Sequence, residues 1–337
     1  MKATAALLAL LCCIGCDRSE APQLGAEKLA ASSATNPKQT PEPGGASTDP
    51  NAATAHSSEV PPRAAHAKPT NAPPETLASV RKRYAWLEGA DAVPPPVDTL
   101  AQRFPAPDGF QRLPLQTQSF AAFLRTLPLA AADTPVQSYN GGRILDVGDP
   151  RYAAVVALDV GKADLQQCAD AVMRLHGEWR WSAGARDMSY RAAAGLPIAY
   201  ARYRRGERLV PQGSSLSWRG GGQPSDSYAT FRKYMNTVFA WANTVSLMKQ
   251  STPVAYADLR AGDFFVLPGN PGHTVLILDV VVRGTQKRAL LGQSYMPAQN
   301  FQVLRPRAGA VWFELDPTQS VKTPFWAPFP WTSLRRL

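Results

Sequence analysis

The chain has 337 residues, of which 45% are hydrophobic, and a formal net charge of +10. After the N-terminus no apolar segment is long enough to span a bilayer, and no basic-aromatic motif of a nucleic-acid-binding protein appears, which excludes both classes. The positive charge indicates either a solvated surface or attraction to anionic polymers of the cell envelope.

The first predicted element is a signal peptide at residues 1–16. Lys2 supplies its positive charge, and "ALLALLCCIG" is an apolar stretch too short for a permanent membrane span. It ends in "CIGC", which resembles a lipoprotein signal cut before Cys16, whose sulfur then carries diacylglycerol. Ordinary secretion with cleavage nearby is the alternative. We expect a lipid-anchored protein of the cell envelope that faces the periplasm, and Asp17 resembles an inner-membrane retention signal.

The anchor can be tested at Cys16. We expect the Cys16→Ser protein to leave the membrane fraction or to remain unprocessed, because it lacks the sulfur that would carry the lipid. Fractionation of cells followed by mass spectrometry of the N-terminal peptide measures both results. Unchanged recovery of the variant with membranes would remove the lipoprotein prediction.

Residues 17–75 are predicted to be a disordered tether. They are rich in Ala, Pro, Ser and Thr, and the first aromatic residue of the mature chain is Tyr84. Such a composition cannot bury enough apolar surface to offset the entropy of ordering. One globular domain is predicted for residues 76–337, which contain all the tryptophans.

Within this domain helices are predicted first and antiparallel strands later, which is an α+β pattern. Short helices are predicted at "PETLASVRKRYAWLEG" and "SFAAFLRTL", a strand at "YAAVVALDV", and a helix from Asp164 to about Trp181. An insertion, residues 182–258, contains a predicted long helix at 227–250. The later predicted strands are "GDFFVLP", "HTVLILDVVV", "RALLGQSY" and "AVWFEL".

Cys168 is the one cysteine outside the first sixteen residues. With Asp164 as the N-cap and Gln167 three residues later, it falls in the first turn of a helix, where unpaired amides and the macrodipole favour a thiolate. This position predicts a lowered thiol pKa and is typical of a nucleophile. Cys168 also belongs to an apolar stripe with Leu165 and Val172, which favours a small buried hydrophobic residue instead.

A cysteine nucleophile needs a base, and two histidines lie in the folded region. His176 is eight residues along the same helix, about 12 Å from Cys168 and rotated off line, so it cannot reach the thiol. His273 opens a predicted strand after the loop "PGNPG" and is the candidate base.

These motifs resemble the core of the CHAP and NlpC/P60 families. The resemblance rests on "QQC" at a helix start, "GDFFV", "GHTVLILDV" and "LLGQSY". It implies a papain-like core at about residues 150–304 and a cysteine amidase or peptidase, in which Cys168 is the nucleophile and His273 the base. Gln167 and the Cys168 amide are the implied oxyanion donors.

Several residues are candidates for orienting the His273 imidazole. Asp279 is about 20 Å along the strand and too far. Gln293 follows the turn "RGTQK" on the same sheet face, and the resemblance implies a polar residue there, usually Glu. A neutral amide can orient imidazole, so Gln293 is the first candidate. Gln299 and Asn270 are the alternatives.

Nearly the whole folded part also resembles the family named domain of unknown function 4846, found in bacterial envelope proteins. The similar segments are "RFPAPDGFQRL", "SFAAFLRTLPL", "DLQQCADAVMRL", "GHTVLILDV" and "QSYMPAQNFQVL". The resemblance to that family implies no particular activity.

Two classes of function follow from the sequence. The first is an envelope thiol amidohydrolase or peptidase that acts on peptide or amide bonds, such as those of peptidoglycan. The second is a non-catalytic lipoprotein that binds an envelope peptide or glycan in a papain-like groove. No metal, cofactor or nucleic-acid partner is predicted.

Overall fold

The computed structural model describes residues 75–89, 93–213 and 215–337, which belong to one compact unit. The predicted signal peptide, the predicted lipidation site Cys16 and the predicted tether up to residue 74 lie outside the described residues.

Seven α-helices occur in the described part of the chain, and the longest are the fourth and the sixth. They are α1 (Leu77–Val80), α2 (Leu100–Arg103), α3 (Phe120–Arg125), α4 (Cys168–Ser182), α5 (Tyr200–Arg204), α6 (Tyr228–Trp241) and α7 (Thr244–Gln250).

The strands concentrate in the C-terminal half. They are β1 (Pro96–Thr99), β2 (Gln111–Arg112), β3 (Pro128–Ala130), β4 (Val136–Gln137), β5 (Arg143–Leu145), β6 (Tyr152–Val155), β7 (Ser189–Arg191), β8 (Pro197–Ala199), β9 (Arg208–Gln212), β10 (Ser215–Arg219), β11 (Thr252–Pro253), β12 (Phe264–Leu267), β13 (His273–Arg283), β14 (Gln286–Gln293), β15 (Gln302–Leu304), β16 (Phe313–Leu315), β17 (Val321–Thr323), β18 (Trp326–Phe329) and β19 (Leu334–Arg336).

A nine-stranded antiparallel sheet organises the domain. Its main order is β11-β19-β12-β13-β14-β15-β6, while β2 pairs with β13 and β16 pairs with β14. The central strands β13 and β14 are joined by the turn after Arg283, and Ile277 and Asp279 flank a register shift. Both strands are buried over most of their length, as their runs of Val, Leu and Ile predict.

The two faces of the sheet pack into different cores. On one face α4 and α6 bury aliphatic and aromatic side chains, such as Val172 and Phe231, against Leu276 and Leu278 of β13. The opposite face, with Val275 and Ile277, packs against the C-terminal segment of the chain. This alternation follows from the two-residue period of a strand.

The predicted α+β class is confirmed, as are the strands predicted around Phe264–Leu267, His273–Arg283 and Gln286–Gln293. The single long helix predicted at 227–250 is wrong. The backbone of Ala242 is extended and ends α6, and the Asn243 side chain accepts a hydrogen bond from the Ser246 amide to begin α7. The insertion therefore contains two consecutive helices in place of one.

The described residues include no helix that is long and apolar enough to cross a membrane.

Candidate functional site

Cys168 is the first residue of α4, and this start differs from the prediction. The helix was predicted to begin after Asp164, but Gln167 is the N-cap, and its amide donates to Oδ2 of Asp170 at 3.1 Å. The Cys168 side chain is 5% exposed, and its thiol donates to the carbonyl oxygen of Gly272 over 3.8 Å. The sulfur therefore lies beside the residue that precedes His273.

Asp164 has a different role from the predicted cap. Its Oδ1 accepts hydrogen bonds from Nε2 of Gln167, at 3.0 Å, and from the amide of Ala298, at 2.6 Å. It thus ties the segment before α4 to the segment after β14. Gln167, the implied oxyanion donor, already uses one of its two side-chain N–H groups in this contact.

Gly272 lies at a closely packed point of the loop before β13. A β-carbon at this position would overlap Thr244 Oγ1 and would lie 2.7 Å from the carbonyl oxygen of Leu267. Only glycine fits at this position, which lets the loop pack closely on Thr244 at the start of α7. His273 follows directly as the first residue of β13.

His273 and Gln293 are in direct contact. Nε2 of His273 and Oε1 of Gln293 are 2.8 Å apart, and both side chains are buried. Since an amide oxygen accepts, this contact assigns the proton to Nε2 and leaves Nδ1 unprotonated in the neutral ring. Nδ1 is buried and has no hydrogen-bond partner among the described residues.

The other candidates for orienting His273 lie elsewhere. Gln299 donates to Oε1 of Gln302 at 3.3 Å, and Asn270 is exposed in the loop before β13. Asp279 is held by ion pairs with Arg112 and Arg125, at 2.7 and 2.8 Å. Among these candidates, Gln293 is the residue in contact with the imidazole.

The thiol is not activated in this conformation. Burial, and then the negative charge of Asp170, raise the pKa of Cys168 to about 12, although the amides of Ala169, Thr274 and Cys168 itself act in the opposite direction. The sequence predicted a lowered pKa from the helix N-terminus alone. That prediction is wrong for this conformation because desolvation of the thiolate outweighs the helix amides.

The imidazole is likewise held neutral. Burial lowers the pKa of His273 to about 4, and the hydrogen bond to Gln293 opposes this shift only in part. A neutral imidazole with a free Nδ1 is the form that can accept a proton.

Aromatic side chains enclose His273. Its ring centroid lies 5.0 Å from that of Tyr295, 4.9 Å from Trp326 and 6.2 Å from Phe329. Trp326 and Phe329 belong to β18, which pairs with β17 in a hairpin separate from the main sheet. We call Val321–Phe329 the cover hairpin, because Trp326 is half-exposed while His273 is fully buried.

Sequence reasoning missed this enclosure. Tyr295 lies two residues after Gln293, so the period of a strand could have placed both on one side. Its hydroxyl donates to the Phe325 carbonyl at 3.4 Å, and burial followed by the charge of a Cys168 thiolate raises the pKa of Tyr295. The C-terminal position of Trp326 and Phe329 carries no local signal for this contact.

A buried ionic cluster connects the middle of α4 with α6 and with Asp159. Arg174 and Arg232 both bind Asp159, and Arg174 also binds Glu178. Nη1 of Arg174 donates a hydrogen bond to Oε1 of Gln166 at 2.8 Å. The carbonyl oxygen of Gln166 accepts a hydrogen bond from Ser294, the neighbour of Gln293, at 3.2 Å. The cluster therefore joins the segment before Cys168 to the end of β14.

Metal ligands are not assembled at this site. Across residues 75–89, 93–213 and 215–337, no group of three or more His, Cys, Asp or Glu side chains could hold a metal ion.

The fold and site define an α+β domain with a buried cysteine, histidine and glutamine gathered where α4, β13 and β14 begin or end. The chain belongs to the family described as domain of unknown function 4846, whose model matches residues 100–336. No curated protein and no solved structure matches it.

Proposed function

We propose that this protein is a thiol amidohydrolase or peptidase of the cell envelope, with a papain-like core and a lipid anchor at Cys16. The observation that carries the proposal is the His273–Gln293 hydrogen bond, which leaves Nδ1 as a free base. Its nucleophile stands at a helix start and its base at the start of a strand against which that helix packs.

The proposed reaction is acyl transfer through the sulfur. Nδ1 of His273 takes the thiol proton, and the Cys168 thiolate attacks the carbonyl carbon of an amide. The oxyanion forms near the free amides at the start of α4, with Gln167 as the proposed second donor. Nδ1–H then protonates the leaving amine as the C–N bond breaks. Water, deprotonated by Nδ1, hydrolyses the thioester and restores the thiol.

Gln293 is the proposed positioning residue. It keeps the proton on Nε2, so that Nδ1 is the atom available to Cys168. As a neutral amide it stabilises imidazolium less than a carboxylate would, which suits a site where burial already holds the pKa of His273 at about 4.

A second function is favoured by one observation. The thiol is 5% exposed, and its pKa is raised to about 12, as expected for a structural cysteine. The alternative is therefore a non-catalytic lipoprotein that uses the same domain to bind an envelope peptide or glycan.

The experiment is incubation of the exported protein with purified peptidoglycan and separately with its soluble peptides. We expect mass spectrometry to detect cleaved amide bonds with wild-type protein and none with Cys168→Ala. Asn270→Ala, an exposed loop substitution near His273, is the control that should retain activity. The Trp326→Ala protein is tested in parallel, so that a closed cover hairpin cannot hide an active site.

If Cys168→Ala forms as much product as wild-type protein, the thiol mechanism is ruled out. If neither wild-type nor Trp326→Ala protein forms product, while Cys168→Ala still co-sediments with peptidoglycan, the binding function replaces the enzyme.

A further inference from the structure

The positive charge of the chain is concentrated at the end of α4 and in the first part of the insertion. Residues 180–219 contain eight arginines and two acidic residues, which account for more than half of the net charge of +10. These residues span the end of α4, the hairpin β7–β8, α5 and the hairpin β9–β10. These arginines are spread over forty residues of the sequence, but the fold brings several of them together.

Several of these arginines share the same carboxylates. Arg186 and Arg204 both bind Asp226, each at 3.1 Å. Arg202 and Arg205 both bind Glu207. Arg180 binds Asp187. The eight arginines thus face three carboxylates, two of which are shared between two guanidinium groups, so positive charge is in excess within the cluster.

Two arginines also occupy paired positions on the β9–β10 hairpin. Arg208 and Arg219 are direct partners in the antiparallel register. The Arg208 guanidinium donates to the carbonyl oxygens of Tyr203 and Glu207, at 2.9 and 2.8 Å, so Arg219 is the more accessible charge of the two. Arg219 is exposed, as is the tip of the hairpin at Pro211 and Gln212. This arrangement indicates an anionic partner outside the protein.

Aromatic rings hold the arginines in place before any partner binds. The guanidinium carbon of Arg186 lies 3.6 Å from the Trp181 ring centroid, that of Arg202 lies 5.0 Å from Trp218, and Arg208 stacks on Tyr203 at 4.1 Å. Since stacked guanidinium groups lose less freedom on binding, they are suited to phosphate groups, which they bind in a bidentate manner.

We propose that this basic cluster docks the domain onto a bilayer surface that contains anionic phospholipids. The exposed tip of the hairpin suits a broad surface, whereas an extended polymer usually lies in a groove. If Cys16 is lipidated as predicted, the chain itself is held at the membrane, which raises the effective concentration of the cluster at the lipid surface. Arg180 is about 18 Å along α4 from Cys168, so docking leaves the thiol site uncovered.

The test uses the mature exported chain, reconstituted with vesicles of phosphatidylcholine alone or with 30% phosphatidylglycerol. Hydrogen exchange read by mass spectrometry should show slower exchange in residues 202–219 only with the anionic vesicles. Raising salt to 0.5 M should abolish the protection, because the Debye length then falls to about 4 Å. Labelling of Cys168 serves as an independent readout of the thiol site.

Two triple variants test whether these arginines are the residues that bind the anionic vesicles. Each arginine near an anionic surface contributes about fivefold to binding, so Arg204→Gln/Arg205→Gln/Arg219→Gln should weaken docking on the order of 100-fold and remove the protection. The matched control removes three exposed charges elsewhere, with Lys82→Gln/Arg143→Gln/Arg307→Gln, and should keep the protection. Circular dichroism checks that both variants are folded.

Three outcomes would overturn the proposal. The first is equal protection with neutral and anionic vesicles, and the second is equal loss in the two triple variants. The third is protection by a soluble polyanion such as heparin with none by anionic vesicles, which would assign the surface to an anionic polymer. None of these outcomes depends on whether Cys168 is catalytic.

Discussion

Iodoacetamide is expected to label Cys168 of the native protein at pH 7 about 3000-fold more slowly than a free cysteine. With a pKa of about 12 the thiolate fraction at pH 7 is about 10⁻⁵, whereas an unperturbed thiol near 8.5 has about 3%. Mass spectrometry of the peptide that contains Cys168 measures the rate, and unfolding in urea should bring it to the free value.

Removing the Trp326 side chain should restore part of the labelling rate of Cys168. We expect Trp326→Ala to raise the labelling rate by on the order of tenfold or more, because water then reaches His273 and Tyr295 and the desolvation of the thiolate weakens. Trp218→Ala removes a half-buried tryptophan from the β9–β10 hairpin and serves as the matched control. Labelling at the wild-type rate in Trp326→Ala would show that the cover hairpin does not limit access.

This pair of measurements also separates the two proposed functions. A catalytic thiol behind a movable cover becomes reactive when the cover is removed, and its rate then depends on His273. A structural cysteine becomes reactive only when the domain unfolds. His273→Ala in the Trp326→Ala background should therefore slow labelling if the two residues form a pair.

The sequence was sufficient to predict features that depend on local pattern. Runs of apolar and β-branched residues predicted β13 and β14, and the glycine before His273 predicted its position at the start of a strand. Counting across the turn after Arg283 predicted that Gln293 shares a face with His273, and the side chains are 2.8 Å apart.

Features that depend on distant segments could not be predicted. The pKa of Cys168 was predicted from the helix N-terminus, yet burial by residues far along the chain reverses the shift. Trp326 comes from a hairpin more than fifty residues after His273, and no period or spacing connects the two. The break between α6 and α7 was readable in principle, because Asn243 is a good N-cap, but no proline or glycine interrupts the sequence from Ser227 to Gln250.

The arrangement of the charges of residues 180–219 also depends on distant segments. Along the sequence Arg186 and Arg204 are eighteen positions apart, and no pattern connects them. In the fold they meet at one carboxylate, Asp226. Composition therefore gave the amount of charge correctly, while its distribution required the tertiary structure.

The buried ionic cluster that connects α4 with α6 explains how the segment before Cys168 is held. Arg174 is fully buried. Asp159 is the counter-charge that Arg174 and Arg232 share. Burial alone would raise the pKa of Asp159, but the charges of Arg174 and Arg232 outweigh it and hold the pKa well below its usual range. Gln166 connects this cluster to Ser294 and so to the strand that carries Gln293.

Asp159→Asn is expected to lower the free energy of unfolding by about 3–5 kcal/mol at pH 7, because it leaves two buried guanidinium groups short of a counter-charge. Urea unfolding measures this loss, and Asp146→Asn, at an exposed ion pair, is the control that should change stability by less than about 0.5 kcal/mol. Equal stability of Asp159→Asn and wild-type protein at pH 7 would contradict the prediction.

The pH dependence of this difference has a definite sign. A carboxyl whose pKa is lowered by folding stabilises the folded state above its unfolded pKa of about 3.9 and loses that contribution as the pH falls through the folded value. The difference between wild-type and Asp159→Asn protein should therefore be constant from pH 8 to about pH 5 and shrink below pH 4. The pKa of His273 and that of His176 are both lowered to about 4 by burial, so both proteins lose stability below about pH 6.5, and this common loss cancels in the difference. A difference that stays constant down to pH 3 would show that the loss at Asp159 comes from packing and not from its charge.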